Sequence, residues 1–143
     1  MRRKNTMANV YNYYNNGFLR ISAIYGTNCF VYCVDGYYYN TQVIRISAYF
    51  DKEKPDENNI TIEINDGGYH SSPYTTKTLK KMLSDTLYDI DCDMGSEWEN
   101  NAYTDLYKAI QGAFALYFSK YRKCEYQTLT DMYGNNQKFY FNY

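Results

Sequence analysis

The segment Asp89-Ile90-Asp91-Cys92-Asp93-Met94-Gly95 sets carboxylates at alternate positions, an arrangement that lets a loop wrap its oxygens around a calcium ion. It departs from the EF-hand order twice. Glycine stands at the seventh loop position instead of the sixth, and Asn100 occupies the twelfth, where a bidentate Glu closes the shell, although Glu97 and Glu99 are near. The better reading is a solvated acidic loop whose charge favours the N-terminus of the next helix. Cys29, Cys33, Cys92, Cys124 and the single His70 form none of the C-x2-C pairs of a zinc site. His70 precedes Ser71 and Ser72, but neighbours in a turn rarely make a nucleophile–base hydrogen bond, and no G-x-S-x-G elbow occurs. No Walker loop or G-x-G-x-x-G is present, Gly67-Gly68 being an isolated pair. No catalytic residue, metal or cofactor is therefore expected, and the chemistry left to the chain is binding.

Two surfaces are candidates for that binding. The net charge of −1 hides an asymmetry: residues 1–50 carry five basic and one acidic residue, residues 51–105 five and thirteen, residues 106–143 five and two. Between Asp85 and Asp105 there is no Lys or Arg, so Asp85, Asp89, Asp91, Asp93, Glu97 and Glu99 are expected to form an acidic surface that attracts a basic partner. The second surface follows from the 20 tyrosines. Phe30, Tyr32, Tyr37, Tyr39 and Tyr49, with Arg20 and Arg45, are expected to share an aromatic sheet face, where rings stack on bases or anchor a protein partner and guanidinium groups pair with phosphate. The competing reading is that many of these rings are half-buried packing residues.

The elements that must position these residues are read from periodicity. Leu19, Ile21 and Ala23 alternate with Arg20 and Ser22, a half-buried strand. Asp35-Gly36 between the β-rich runs Cys29–Val34 and Tyr37–Phe50 predicts a type I′ hairpin turn, pairing Val34 with Tyr37 and Tyr32 with Tyr39. That register puts Tyr37 and Tyr39 opposite in phase to Ile44 and Ile46. Either a bulge near Asn40–Val43 swaps the faces, or the sheet has a second apolar surface. Ile60, Ile62 and Ile64 predict a strand returning antiparallel to Val43–Phe50. Ser72-Pro73 starts a short helix over roughly residues 74–88, and the capping box Ser96-Glu97-Trp98-Glu99 starts a second of about 25 residues through Leu106, Ile110, Phe114 and Tyr117. Gly134-Asn135-Asn136 separates two runs that read as a final hairpin.

The sum is an α+β protein: a flexible basic arm over 1–16 and a single domain over 17–143, its antiparallel sheet of about four to six strands carrying one long and one short helix on one face. No run of 18 apolar residues or secretory leader is visible, so a cytoplasmic location without membrane contact is expected. The excess of Tyr and Asn over Leu follows AT-rich coding. With the basic arm and acidic segment it points to a phage or mobile-element inhibitor of a host nucleic-acid-handling or defence complex, anti-CRISPR-like in general type and carried by no family motif. On this expectation the acidic surface mimics nucleic acid and the partner is a host protein. The alternative is a module that sequesters a small nucleotide or single-stranded nucleic acid on its tyrosines, and a homo-oligomer fits either reading.

Overall fold

In the computed structural model, residues 9–14, 16–67, 72–93, 100–121, 127–130 and 137–142 are described. Among the described residues seven strands form one sheet: β1 (Asn9–Tyr13), β2 (Gly17–Tyr25), β3 (Cys29–Tyr38), β4 (Thr41–Asp51), β5 (Asn59–Asn65), β6 (Gln127–Thr130) and β7 (Gln137–Asn142), in the order β1-β2-β3-β4-β5-β7-β6. All neighbours are antiparallel except β5 and β7, which run parallel. A parallel pair needs a long crossover. The chain makes it with α1 (Pro73–Asp93) and α2 (Asn100–Leu116), which continues into a π-helical turn at Tyr117–Tyr121. The α+β class is as expected. The extra strand comes from the segment expected to be a loose arm, because Asn9–Tyr13 pairs along β2; residues 1–8 lie outside the described residues.

The period-2 alternation of the strands produces a sheet with one dry face. Ile21, Val34, Ile46, Ile62 and Phe139 stand opposite one another across five strands, all buried, with rows built on Leu19, Ile44 and Ile64 and on Tyr32, Ala48 and Ile60 beside them. The helices complete this core with Leu79, Met82, Thr86 and Ile90 from α1 and Leu106, Ile110, Ala113 and Phe114 from α2, at three- and four-residue spacing. The lengths differ from expectation. α1 runs to Asp93 because Ile90 continues the buried stripe, so Asp89–Asp93 is helix and cannot form a calcium loop. The capping box at Ser96 falls outside the described residues.

The hairpin turn is of the expected kind in an unexpected place. Asp35 and Gly36 lie inside β3, and the turn is at Tyr39-Asn40, both with positive φ of 51° and 65°, as a type I′ turn requires. Tertiary packing overrides the local Asp-Gly signal. A Cβ on Gly36 would come within 2.9 Å of Met82 Sδ, 3.2 Å of Leu19 Cδ1 and 3.3 Å of Ile44 Cβ, so this glycine serves the close approach of α1 to the sheet. A bulge at Val43 then restores the face. Tyr37 pairs with Gln42, but Gly36 pairs with Ile44, leaving Val43 as the extra residue. Without it Val34 would face Arg45, and the alternating set Ile44, Ile46 and Ala48 would turn to solvent.

Gly36→Ala should therefore cost about 1–3 kcal/mol by overpacking. Shortening the facing side chain in the double variant Gly36→Ala with Met82→Ala should recover part of that cost relative to the sum of the single changes. Chemical denaturation of the four proteins of this double-mutant cycle measures both quantities.

Candidate functional site

The acidic segment is spent largely on the fold. Asp85 and Asp89 sit one turn apart on the sheet-facing side of α1. Asp89 is buried and accepts hydrogen bonds from Tyr32 Oη (2.9 Å) and Asn9 Nδ2 (2.7 Å). Asp85 accepts from Tyr13 Oη (2.6 Å) and pairs with Lys81 Nζ at 3.5 Å. Burial, and next the hydrogen bond to Asp85, push the Tyr13 phenol well above its usual range. Asp91 is exposed, the side chain of Asp93 is not described, and Glu97 and Glu99 lie outside the described residues. The expected continuous acidic surface is thus corrected at Asp85 and Asp89, whose carboxylates point inward because tyrosine and asparagine donors there replace water.

The expected aromatic face also divides. Phe30 and Tyr32 are fully buried under the helices, and Phe30 packs against Tyr103 of α2. Tyr37 and Tyr49 point to the opposite face of the sheet, which is uncovered among the described residues. There Tyr37 stacks on Phe18 with ring centroids 5.0 Å apart, and Arg20 lies over the Phe18 ring. Tyr49 donates to Asp51 (3.0 Å) beside Cys29, and hydrogen bonds to the Cys29 thiol and then to Asp51 hold its phenol above the usual range. Arg45 approaches Glu63 at 4.0 Å on the same face. Tyr39 occupies the hairpin turn and is half exposed. The displaced turn explains this division: with Asp35 and Gly36 inside β3, plain alternation puts Phe30 and Tyr32 on the helix-covered face and Tyr37 on the other.

Neither expected surface coincides with a larger concave feature among the described residues. A cleft of about 640 Å³ opens where three separate elements end: the β3–β4 hairpin tip (Tyr38, Tyr39, Thr41, Val43), the C-terminal end of β5 with Asp66 and Gly67, and the first turn of α1 (Ser72, Tyr74, Thr75). Tyr38 and Tyr39 meet edge to face at 4.7 Å, and across the cleft Tyr74 is 68% exposed. Asp66 is 3% exposed and accepts a 2.6 Å hydrogen bond from Tyr117 Oη, so a charge-bearing group is fixed at the wall by the end of α2. Ser72 caps α1, its Oγ accepting from the Thr75 N–H at 3.4 Å. Aromatic rings, hydroxyls, an oriented carboxylate and the positive end of a helix dipole together suit a planar ligand with polar edges. Proximity in sequence carries no signal for this site, since its parts come from residues 38–43, 66–67 and 72–75. Its legible components are the Ser72-Pro73 helix start and Tyr39, the one member of the expected aromatic set that lines it. His70 and Ser71 lie outside the described residues, and among the described residues no three His, Cys, Asp or Glu side chains gather as a metal site.

No protein family matches the chain, and no curated protein or solved structure is significantly similar to it. The geometry is therefore the whole of the functional argument.

The two classes of acid should separate cleanly on substitution. Asp89→Ala leaves the Tyr32 hydroxyl without its buried acceptor and should cost about 2–4 kcal/mol in urea unfolding, whereas Asp91→Ala should stay within about 0.5 kcal/mol of the parent.

Proposed function

We propose that the protein is a non-enzymatic binding protein and that its ligand, a small nucleotide or a planar aromatic molecule of similar size, sits in the cleft between the hairpin tip and the start of α1. The observation that carries this reading is the convergence of Tyr38, Tyr39 and Tyr74 on one cleft with Asp66 in its wall. Its volume lies within the range of small-molecule sites. Stacking on tyrosine gives affinity for a base without a sequence motif, and the Asp66–Tyr117 hydrogen bond supports the wall against which the base would lie. An anionic group on the ligand is favoured beside the first turn of α1.

Arg20 and Arg45 are on the uncovered sheet face and do not line the cleft, so the phosphate partners first expected for a nucleotide are replaced in this reading by the helix terminus. The rival reading, an inhibitor whose acids mimic nucleic acid, loses two of its assigned carboxylates to the interior, with Asp91 and Asp105 as the exposed acids of the described part of that segment.

The test is a thermal-shift panel of nucleoside monophosphates and cyclic dinucleotides. At about 100-fold excess over its dissociation constant, a ligand adds roughly 2.7 kcal/mol of stability, which should raise Tm by about 5 °C or more. Tyr74→Ala, at an exposed position, should leave the ligand-free Tm within about 2 °C and abolish the rise. No rise with any nucleotide, or a rise that survives both Tyr74→Ala and Tyr39→Ala, contradicts the assignment.

A further inference from the structure

We propose that the uncovered face of the sheet is where two copies of this chain associate, stacked face to face about a two-fold axis running along the strands between β3 and β4. The cross-strand register places Val10, Arg20, Asp35, Arg45, Glu63 and Tyr140 in one row across the sheet, all on the side away from the helices. Its four central members alternate in sign: positive on β2, negative on β3, positive on β4, negative on β5. Such a row is its own complement. The two-fold sets β3 opposite β4 of the second copy, β2 opposite β5 and β1 opposite β7. Asp35 then faces Arg45 of the second copy, Arg20 faces Glu63, and Val10 faces the Tyr140 ring. A row of uniform sign, or one symmetric about its centre, would bring like charges together under the same operation.

On one side of this row the face carries the stacked Phe18 and Tyr37 rings, with Tyr37 opposite Gln42 of the second copy, and on the other side it is nearly flat. The adjacent row is Ser22, Cys33, Ser47 and Thr61, small side chains that let two sheets approach to the roughly 10 Å of a β-sandwich. Beyond it, Val31 lies opposite Tyr49 under the two-fold, an apolar contact at the edge of the patch. Packed sheets cross at about 30° because of their twist, so the pair nearest the axis, Asp35 with Arg45, is the one held closest to register. The side chains of Arg45 and Glu63 are 61% and 46% exposed and approach each other at 4.0 Å within the chain, and Asp35 accepts a 2.7 Å hydrogen bond from Gln42 Nε2, so contacts to a second copy would add to these intrachain ones. With strands about 4.8 Å apart and same-face residues about 6.8 Å apart, the patch covers roughly 500 Å² per copy, at the lower limit for a specific pair. This face does not include the tyrosines of the cleft, so the proposal stands apart from the ligand reading.

Sedimentation velocity over a concentration series tests it. The parent protein should move from 17.0 kDa to twice that mass as concentration rises. Asp35→Arg and Arg45→Asp each bring like charges face to face and should weaken association by about tenfold or more. An equimolar mixture of the two variants should recover the parent mass, because each then meets its opposite sign. Mixing cannot repair a defect within one chain, and circular dichroism checks that both variants fold. Ser47→Trp, which alters no charge but blocks close approach, should also give a monomer and decides the matter if a charge variant does not fold. A parent that stays monomeric to about 1 mM, a dimer indifferent to all three changes, or a mixture no more associated than its components overturns the proposal.

Discussion

The carboxylate of Asp89 is the group on which the arrangement of this protein turns. It lies on α1, is almost wholly withdrawn from water, and takes hydrogen bonds from Tyr32 in the middle of β3 and from Asn9 on the edge strand β1. A buried carboxylate is costly unless its oxygens are satisfied, so the helix has a strong preference for the one position that meets both donors. Tyr13 and Asp85 repeat the contact one turn earlier. Between them these pairs fix the azimuth of α1 over β1–β3, hold the first strand to the sheet, and bring Met82 down onto Gly36.

The position of the cleft follows from that docking. Once α1 is set, its first turn is delivered to the end of the sheet, where the β3–β4 hairpin projects beyond the core and Asp66 closes β5. The cleft is therefore a consequence of where α1 begins. Val43 participates twice: as the bulge residue it returns Ile44, Ile46 and Ala48 to the dry face, and it also lines the cleft. The same shift sends Arg45 to the open face, into line with Asp35 and Glu63. One inserted residue thus sets the core and both surfaces to which binding is assigned.

Much of this was legible from residue spacing. Ile60, Ile62 and Ile64 alternate because β5 is half buried, and Leu106, Ile110, Phe114 and Tyr117 recur at helical spacing because α2 lies on the sheet; both elements stand where periodicity puts them. A bulge near Asn40–Val43 is one of two readings of the phase conflict along Tyr37–Phe50, and a bulge is present at Val43, although Tyr37 belongs to β3 and not to the strand that carries it. The Asp-Gly turn misled because a glycine that accommodates a neighbouring helix has the same letter as one that accommodates positive φ. The acids of α1 misled because charge is read from sequence as surface, and only the opposing tyrosines and asparagine, 57 to 80 positions away, turn it inward. The cleft had no local pattern, being assembled from the ends of elements that meet only in space.

The central claim is that the tyrosines of the cleft, not those of the open face, receive a ligand. The most direct measurement is carbon-detected NMR of tyrosine-labelled protein titrated with a nucleotide that stabilises it, or with each nucleoside monophosphate in turn. Ring signals of Tyr38, Tyr39 and Tyr74 should shift together and saturably while those of Tyr37 and Tyr49 stay in place. Saturable shifts confined to Tyr37 and Tyr49, or none at Tyr74 with any nucleotide, would contradict the account.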